Sequence, residues 1–313
     1  MIIPKDIKDI LPIFPEFDDI SLKNQKSIDW FFSNYQPQIS EYTFTNLYSW
    51  RFFRPIKISI IENSLCIMAK REDGSAFFMP PVGDDDIVTI VETLFCYADK
   101  NSMESALYRV PDNIADQLKI EGFSVELDLD NSDYVYLVSD LSELSGRHFD
   151  GKRNRIKKCI IGNNPEYKTM TPDIIEQCLD LQTEWCDIRQ CKLNPGLASE
   201  DEAIKEVFSL MDRLPVFGGA ILINGKIEAF TLAERLNIDT AVIHFEKANP
   251  EIDGLYQLIN QWFCQNELSE YKYVNREQDL GIEGLRKAKQ SYHPHHLVNK
   301  YSVWATNLEK TNK

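Results

Sequence analysis

Apolar positions change period several times along the chain, and the changes mark out its elements. Residues 22–36 (LKNQKSIDWFFSNYQ) predict a helix, and FTNLYSWRFF a second, short one. Alternation of period two follows: IKISIIE and SLCIMAK face each other across Glu62-Asn63, and SAFFMP follows Asp73-Gly74, giving a meander of three antiparallel strands. Asp84 to Asp86 open a helix through Tyr97, since acids are favourable at a helix N-terminus. ESALYRV reads as a strand, PDNIADQLKIEG as a helix opened by Pro111 and closed by Gly122, and FSVELDL and DYVYLV as two more strands.

The second half repeats this order. A basic helix spans Arg147 to Ile161, YKTM is a short strand, and Thr171-Pro172-Asp173 caps a long helix through Gln182 and Trp185. SEDEAIKEVFSLMDRL is a further amphipathic helix, with Ala203, Val207, Leu210 and Leu214 on its apolar face. VFGGAILI and KIEAFTLAERL flank Asn224-Gly225, a strong two-residue hairpin signal. TAVIHFEKA then reads as a strand, GLYQLINQWFCQNEL as a helix, YKYVNRE as a strand, GIEGLRKAKQSY as a helix and HLVNKYSVWA as a final strand. The fold class is therefore α/β (α+β), with mixed, mostly antiparallel sheets. One architecture is used twice, with domains at 1–140 and 141–313.

Composition agrees with a folded protein of two domains: 313 residues, 43% hydrophobic and 11% aromatic. No stretch reaches the roughly 18 consecutive apolar residues of a membrane-spanning helix, and the start has no signal-peptide pattern, so no integral membrane association is expected. A net charge of -15 argues against broad nonspecific adhesion to DNA, RNA or anionic lipid. Two basic islands stand out against it, Lys152 to Lys158 and Arg286, Lys287 and Lys289. Seven cysteines without CxxC spacing fit a reducing cytoplasm, with Cys186 and Cys191 read as separate thiols near a helix end.

Three stretches carry a resemblance: SEYTFTNLYSWR, HFEKANPEIDGLYQLIN and NREQDLGIEGLRKAKQSYHP. They are similar to an uncharacterised bacterial family related to the C-terminal domain of phosphatidylglycerol lysyltransferases, and the resemblance covers nearly the whole chain. It implies two tandem GNAT-like domains, of the acyl-CoA N-acyltransferase fold, as in Fem-type transferases, and a cytoplasmic acyltransferase. By direct attack, an amine or hydroxyl of a small-molecule or peptide acceptor would take an aminoacyl group from a donor such as aminoacyl-tRNA, whose 3' end the protein would meet. Acyl-CoA N-acetyltransfer and non-catalytic binding of a small metabolite are the alternatives. Acetyl-CoA is the weaker donor. The segment Glu251 to Tyr256 matches the pyrophosphate-cradling pattern of that fold only at Gly254; Glu251 and Asp253 would repel a pyrophosphate and Tyr256 would crowd it.

Alternation in TAVIHFEKAN places His244 and Glu246 on one face, and YVNRE places Tyr273, Asn275 and Glu277 together. In the resembling fold these strands are parallel neighbours, so Glu246, Lys247, Asn249, Asn275, Arg276 and Glu277 are expected to converge on a cleft. Glu246 or Glu277 would accept the acceptor's proton, unless Glu246 and Arg276 only form a structural ion pair. Tyr256 and Tyr292 are candidate proton donors to a leaving group. Gly254, Asn260, Arg286, Lys289, Arg153 and Arg155 complete the candidate binding residues, with Asp279, which reads first as a helix N-cap. His293-Pro294-His295-His296 is not expected to hold a metal, because adjacent histidines of an extended chain point apart.

Overall fold

The structure is a computed structural model that describes residues 3–71 and 73–306. Two compact units emerge. The first comprises the chain up to Asp133, Gln278–Ile282 and the segment from Val298 onward; the second comprises Tyr134–Glu277 and Glu283–Leu297.

Apart from short elements at Lys5–Lys8, Asp18–Asp19 and Val138–Glu143, the elements follow the expected order until the last strand. In the first stretch they are α1 (Lys5–Lys8), β1 (Asp18–Asp19), α2 (Gln25–Tyr35), α3 (Phe44–Ser49), β2 (Ile56–Ile61), β3 (Ser64–Lys70), β4 (Ala76–Phe78), α4 (Ile87–Lys100), β5 (Ala106–Pro111), α5 (Asp112–Ile120) and β6 (Ser124–Leu127). The second stretch begins with β7 (Asp133–Leu137), α6 (Val138–Glu143), α7 (Asp150–Asn163), β8 (Glu166–Thr169), α8 (Ile175–Arg189) and α9 (Pro195–Ser209). It continues through β9 (Val216–Ile223), β10 (Lys226–Arg235), β11 (Thr240–Ala248), α10 (Leu255–Glu267), β12 (Tyr273–Asn275), α11 (Glu283–Gln290), β13 (His296–Val298) and β14 (Lys300–Trp304).

Local chemistry explains where several helices begin. Thr43 caps α3 by accepting from the Asn46 amide, Asp86 caps α4 through the Thr89 amide at 3.0 Å, and Asn194 caps α9 ahead of Pro195. Asn224 and Gly225 both take positive φ, as a tight hairpin between β9 and β10 requires.

Each unit is built on a seven-stranded, mostly antiparallel sheet. The orders are β1-β2-β3-β4-β5-β14-β6 and β13-β7-β12-β11-β10-β9-β8. The first sheet has one parallel pair, β4 with β5, and the second has β11 with β12. The predicted final strand is two strands divided between the sheets: β13 lies beside β7, whereas β14 lies between β5 and β6. Reciprocally, β7, which lies on the N-terminal side of residue 140, pairs with β12 in the second sheet.

A buried ionic knot fixes β14 within the first unit. Lys300, fully buried, places Nζ 2.6 Å from Glu41 and 2.7 Å from Asp133, and Asp133 also accepts from the Ser40 amide and hydroxyl. A buried ammonium without such partners would cost several kcal/mol. One expectation is overturned in the second unit: Cys186 and Cys191 form a disulfide. Gln190, at φ 54, turns left-handed after α8 and brings the two Cα atoms to 5.0 Å.

Candidate active site

Parallel pairing of β11 with β12 is confined to Thr240–Val242 against Tyr273–Asn275, while β11 runs on to Ala248. Within β11 the expected alternation fails at one residue. Phe245 pairs with Leu232 and Ile243 with Ala233, so His244 is the extra residue of a β-bulge. The bulge shifts the phase of everything after it. Glu246 pairs with Thr231, which shares a face with Ala233 two residues on, so Glu246 lies with Ile243 and not with His244.

Two separate polar groups result. On one face, the Glu246 carboxylate accepts from Arg276 Nη2 at 2.9 Å and from Asn260 Nδ2 at 3.1 Å. Burial alone would lower the Arg276 pKa, but the neighbouring Glu246 carboxylate outweighs it and holds the guanidinium above its ordinary value. Around the guanidinium stand the rings of Tyr292, 4.9 Å away, and Tyr136, 5.7 Å away. Burial raises both phenols, so at neutral pH they are hydrogen donors. Cys264, nearby on α10, is pushed by burial up to about 12 and is no nucleophile.

Lys152, on α7, completes this face. Its Nζ lies 3.5 Å from the Tyr292 ring centroid and donates to Ser291 Oγ at 2.7 Å. Burial, with the cations Arg276 and Arg155, lowers the ammonium to about 8. A substantial fraction of Lys152 is then neutral near pH 8 and able to take a proton. The basic island drew attention to this helix in the sequence, but only tertiary placement distinguishes Lys152 from its neighbours.

The Glu246 group is also incompletely satisfied. Arg276 Nη1, Asn260 Oδ1 and Thr231 Oγ1 are all buried without a hydrogen-bond partner among the described residues. Two belong to side chains bonded to Glu246 through another atom, and the third faces Glu246 across the strands. Buried polar groups are nearly always paired, and here three of them gather about one carboxylate.

On the other face, His244 bridges two glutamates: Nε2 lies 2.8 Å from Glu234 and Nδ1 3.0 Å from Glu277. Burial works against its charge, but the two carboxylates raise its pKa to about 9. Glu277 takes φ 58, and its amide donates to Asn275 Oδ1 at 2.8 Å, so strand alternation stops at Asn275. Glu234 and His244 were not among the residues anticipated from sequence; two polar residues in largely apolar strands were the only signal.

The other anticipated residues are distributed elsewhere. Lys247 pairs with Glu200 at 2.7 Å and lies over the Trp185 ring, whose indole donates to Tyr256 Oη at 2.8 Å. Asn249 donates to Glu228 at 2.8 Å. Arg153 turns back to the Gly146 carbonyl at 2.8 Å and to Asp150, at the start of its own helix. Arg155 is exposed and Arg286 half-buried, while Lys289 donates to the Arg276 carbonyl. Asp279 belongs to the first unit and accepts from the Gly281 amide at 2.9 Å, holding a turn ahead of α11. The expected six-residue convergence thus reduces to Glu246 with Arg276, joined by Asn260 and Tyr292.

Gly254, at φ 85, opens α10. A Cβ there would lie 2.5 Å from the Arg155 carbonyl oxygen, so the backbone of α7 closes on this helix start. His295 and His296, expected to point apart, instead bring their Nδ1 atoms to 2.9 Å. Among the described residues no group of three or more His, Cys, Asp or Glu is arranged to hold a metal, and no helix is long and apolar enough to cross a membrane.

Comparison with solved structures gives the same two-domain architecture. A conserved protein of unknown function from Bacteroides thetaiotaomicron is 36% identical, with a TM-score of 0.86 over 92% of this chain and 99% of its own. L-PGS from Bacillus licheniformis is 12% identical, with a TM-score of 0.64 over 90% and 92%. FemX is 8% identical, with a TM-score of 0.61 over 93% and 98%. No protein of curated function matches the sequence. The fold is that of two tandem GNAT-like domains, as the sequence resemblance implied. Residues 32–304 match the sequence profile described as phosphatidylglycerol lysyltransferase, C-terminal, and the chain belongs to that family.

Proposed function

We propose that the second unit catalyses acyl transfer, with an aminoacyl ester as donor and an amine or hydroxyl of a small molecule or peptide as acceptor. Family membership and the tandem fold support the reaction class. The observation that carries the site is the trio of unsatisfied atoms about Glu246. In this reading Glu246 is a positioning residue, since both its oxygens are engaged. Arg276 Nη1 donates to the donor's carbonyl oxygen and stabilises the charge that develops there. Lys152 takes the proton of the attacking amine as the new C–N bond forms. The ester C–O bond then breaks, and the leaving oxygen receives that proton from the Lys152 ammonium.

An aminoacyl ester such as the 3' end of charged tRNA is preferred to acyl-CoA. The start of α10, where the fold would seat a pyrophosphate on backbone amides, carries Glu251 and Asp253 and is closed by the Arg155 carbonyl.

A thermal-shift and transfer experiment with charged tRNA, CoA and acetyl-CoA tests the donor. Charged tRNA is expected to raise the melting temperature and support transfer; stabilisation by micromolar CoA would overturn the choice of donor. Arg276→Lys is expected to lower kcat by about a hundredfold, the loss typical of removing a preorganised donor. Unchanged kcat in a folded Arg276→Lys variant would remove Arg276 from the reaction.

A further inference from the structure

The first unit contains a cavity of about 340 Å³ lined by cations and rings, among them Arg54, Lys70, Arg71, Arg109, Phe53 and Tyr108. Its size is in the range of small-ligand sites. The sign of the lining is opposite to that of the molecule: four cations face it with Asp128 as the acid, in a chain of net charge -15.

These cations differ in how far they are already satisfied. Arg109 is ion-paired on both sides, with Nε 3.1 Å from Glu41 and Nη1 2.9 Å from Asp128, although that Nε makes no hydrogen bond among the described residues. Arg71 pairs with Glu104 at 2.8 Å and stacks 4.2 Å from the Tyr108 ring. Arg54 and Lys70, in contrast, have no side-chain hydrogen bond or ion pair among the described residues. Arg54 is half-buried, and burial together with Arg109 holds its pKa below the ordinary value. The charges gathered here, Arg54, Arg109 and Lys300 against Glu41, Asp128 and Asp133, balance in number, yet among the described residues no acid is bonded to Arg54. A guanidinium offers five fixed donors, and leaving them unused in a partly desolvated place is costly. Arg109 is also held at φ 68, a strained conformation for a non-glycine residue, which presents it at the cavity wall.

We propose that this cavity binds the phosphate group of a ligand, with Arg54 and Lys70 as its direct partners, Arg71 and Arg109 shaping the wall, and Phe53 receiving the adjoining part of the molecule. Guanidinium and phosphate match in geometry and charge, and a partner here would satisfy donors that the described residues leave unused. The site lies wholly within the first unit, so it stands or falls independently of the transfer reaction.

Binding to the full chain is measured by calorimetry with inorganic phosphate and with AMP, and by co-sedimentation with phosphatidylglycerol vesicles. Arg54→Gln and the exposed Lys70→Gln are each expected to weaken binding about tenfold to a hundredfold, as loss of a charge-assisted hydrogen bond does. Binding of phosphate or AMP that both variants weaken identifies a soluble phosphate ligand. Vesicle binding lost in both variants identifies a lipid headgroup with the same chemistry. Absence of binding to all three probes, or binding that Lys70→Gln and Arg54→Gln leave unchanged, overturns the proposal.

Discussion

His244 holds a positive charge between Glu234 and Glu277, away from water, and that arrangement makes stability depend on pH. Its folded pKa, about 9, lies above the ordinary 6.5. The stabilisation is therefore complete below pH 6.5 and is lost as pH rises through 9, with a magnitude on the order of 3 kcal/mol. Urea unfolding at pH 6, 7.5 and 9.5 should show this decline in the parent and a flatter profile in His244→Gln; parallel profiles would refute the charged bridge. Lys152 makes the opposite kind of statement. With a pKa of about 8 it should give transfer a limb that rises with pH through that value, and Lys152→Met should lose both the limb and most of the rate while keeping the fold, since the residue is only half-buried. At this scale the sequence was partly legible. Glu246 and Arg276 stood out as charges at strand ends. Glu234 and Thr231 did not, and His244 was placed beside the wrong carboxylate, because their significance lies in what faces them across the sheet.

At the scale of elements, the decisive feature is one extra residue in β11. Alternation predicted β11 and β12 as strands, and correctly as parallel neighbours through the family resemblance, but it placed His244 and Glu246 together. A bulge leaves no periodic trace when the residues around it are a mixture of apolar and polar, so the phase after His244 could not be read. Nor could the left-handed turn at Glu277, which ends β12 and sends Glu277 to His244 while Arg276 goes to Glu246. The junction of α10 with α7 gives a sharper test of packing. Gly254→Ala would meet both a left-handed backbone and the Arg155 carbonyl oxygen at 2.5 Å, and should destabilise the protein by about 2–4 kcal/mol in thermal or urea unfolding. A loss of less than about 1 kcal/mol would mean that the helix start can move aside.

For the molecule as a whole, the order of elements was legible apart from three short elements and the division of the last strand, and their distribution between the sheets was not. Strand alternation says that YSVW is extended; it cannot say that the partners are β5 and β6, far earlier in the chain. The chain passes between units after Asp133, Glu277, Ile282 and Leu297. Two fragments cut at residue 140 should therefore fail to fold separately. The shorter would lack β14, with Lys300 and the buried Val303, and the longer would lack β7, with buried Tyr134 and Tyr136. Circular dichroism and proteolysis of each fragment check this; two cooperative, protease-resistant fragments would contradict the exchange of strands. The same feature bears on synthesis. A ribosome emits the N-terminal strands first, yet their sheet has a gap that only residues 300–304 can fill. The first sheet must wait, incomplete, through translation of nearly all the remaining chain, whereas the second, once β12 has emerged, lacks only its edge strand β13. The earlier half of the nascent protein thus keeps an interior gap while the later half has six adjoining strands in hand.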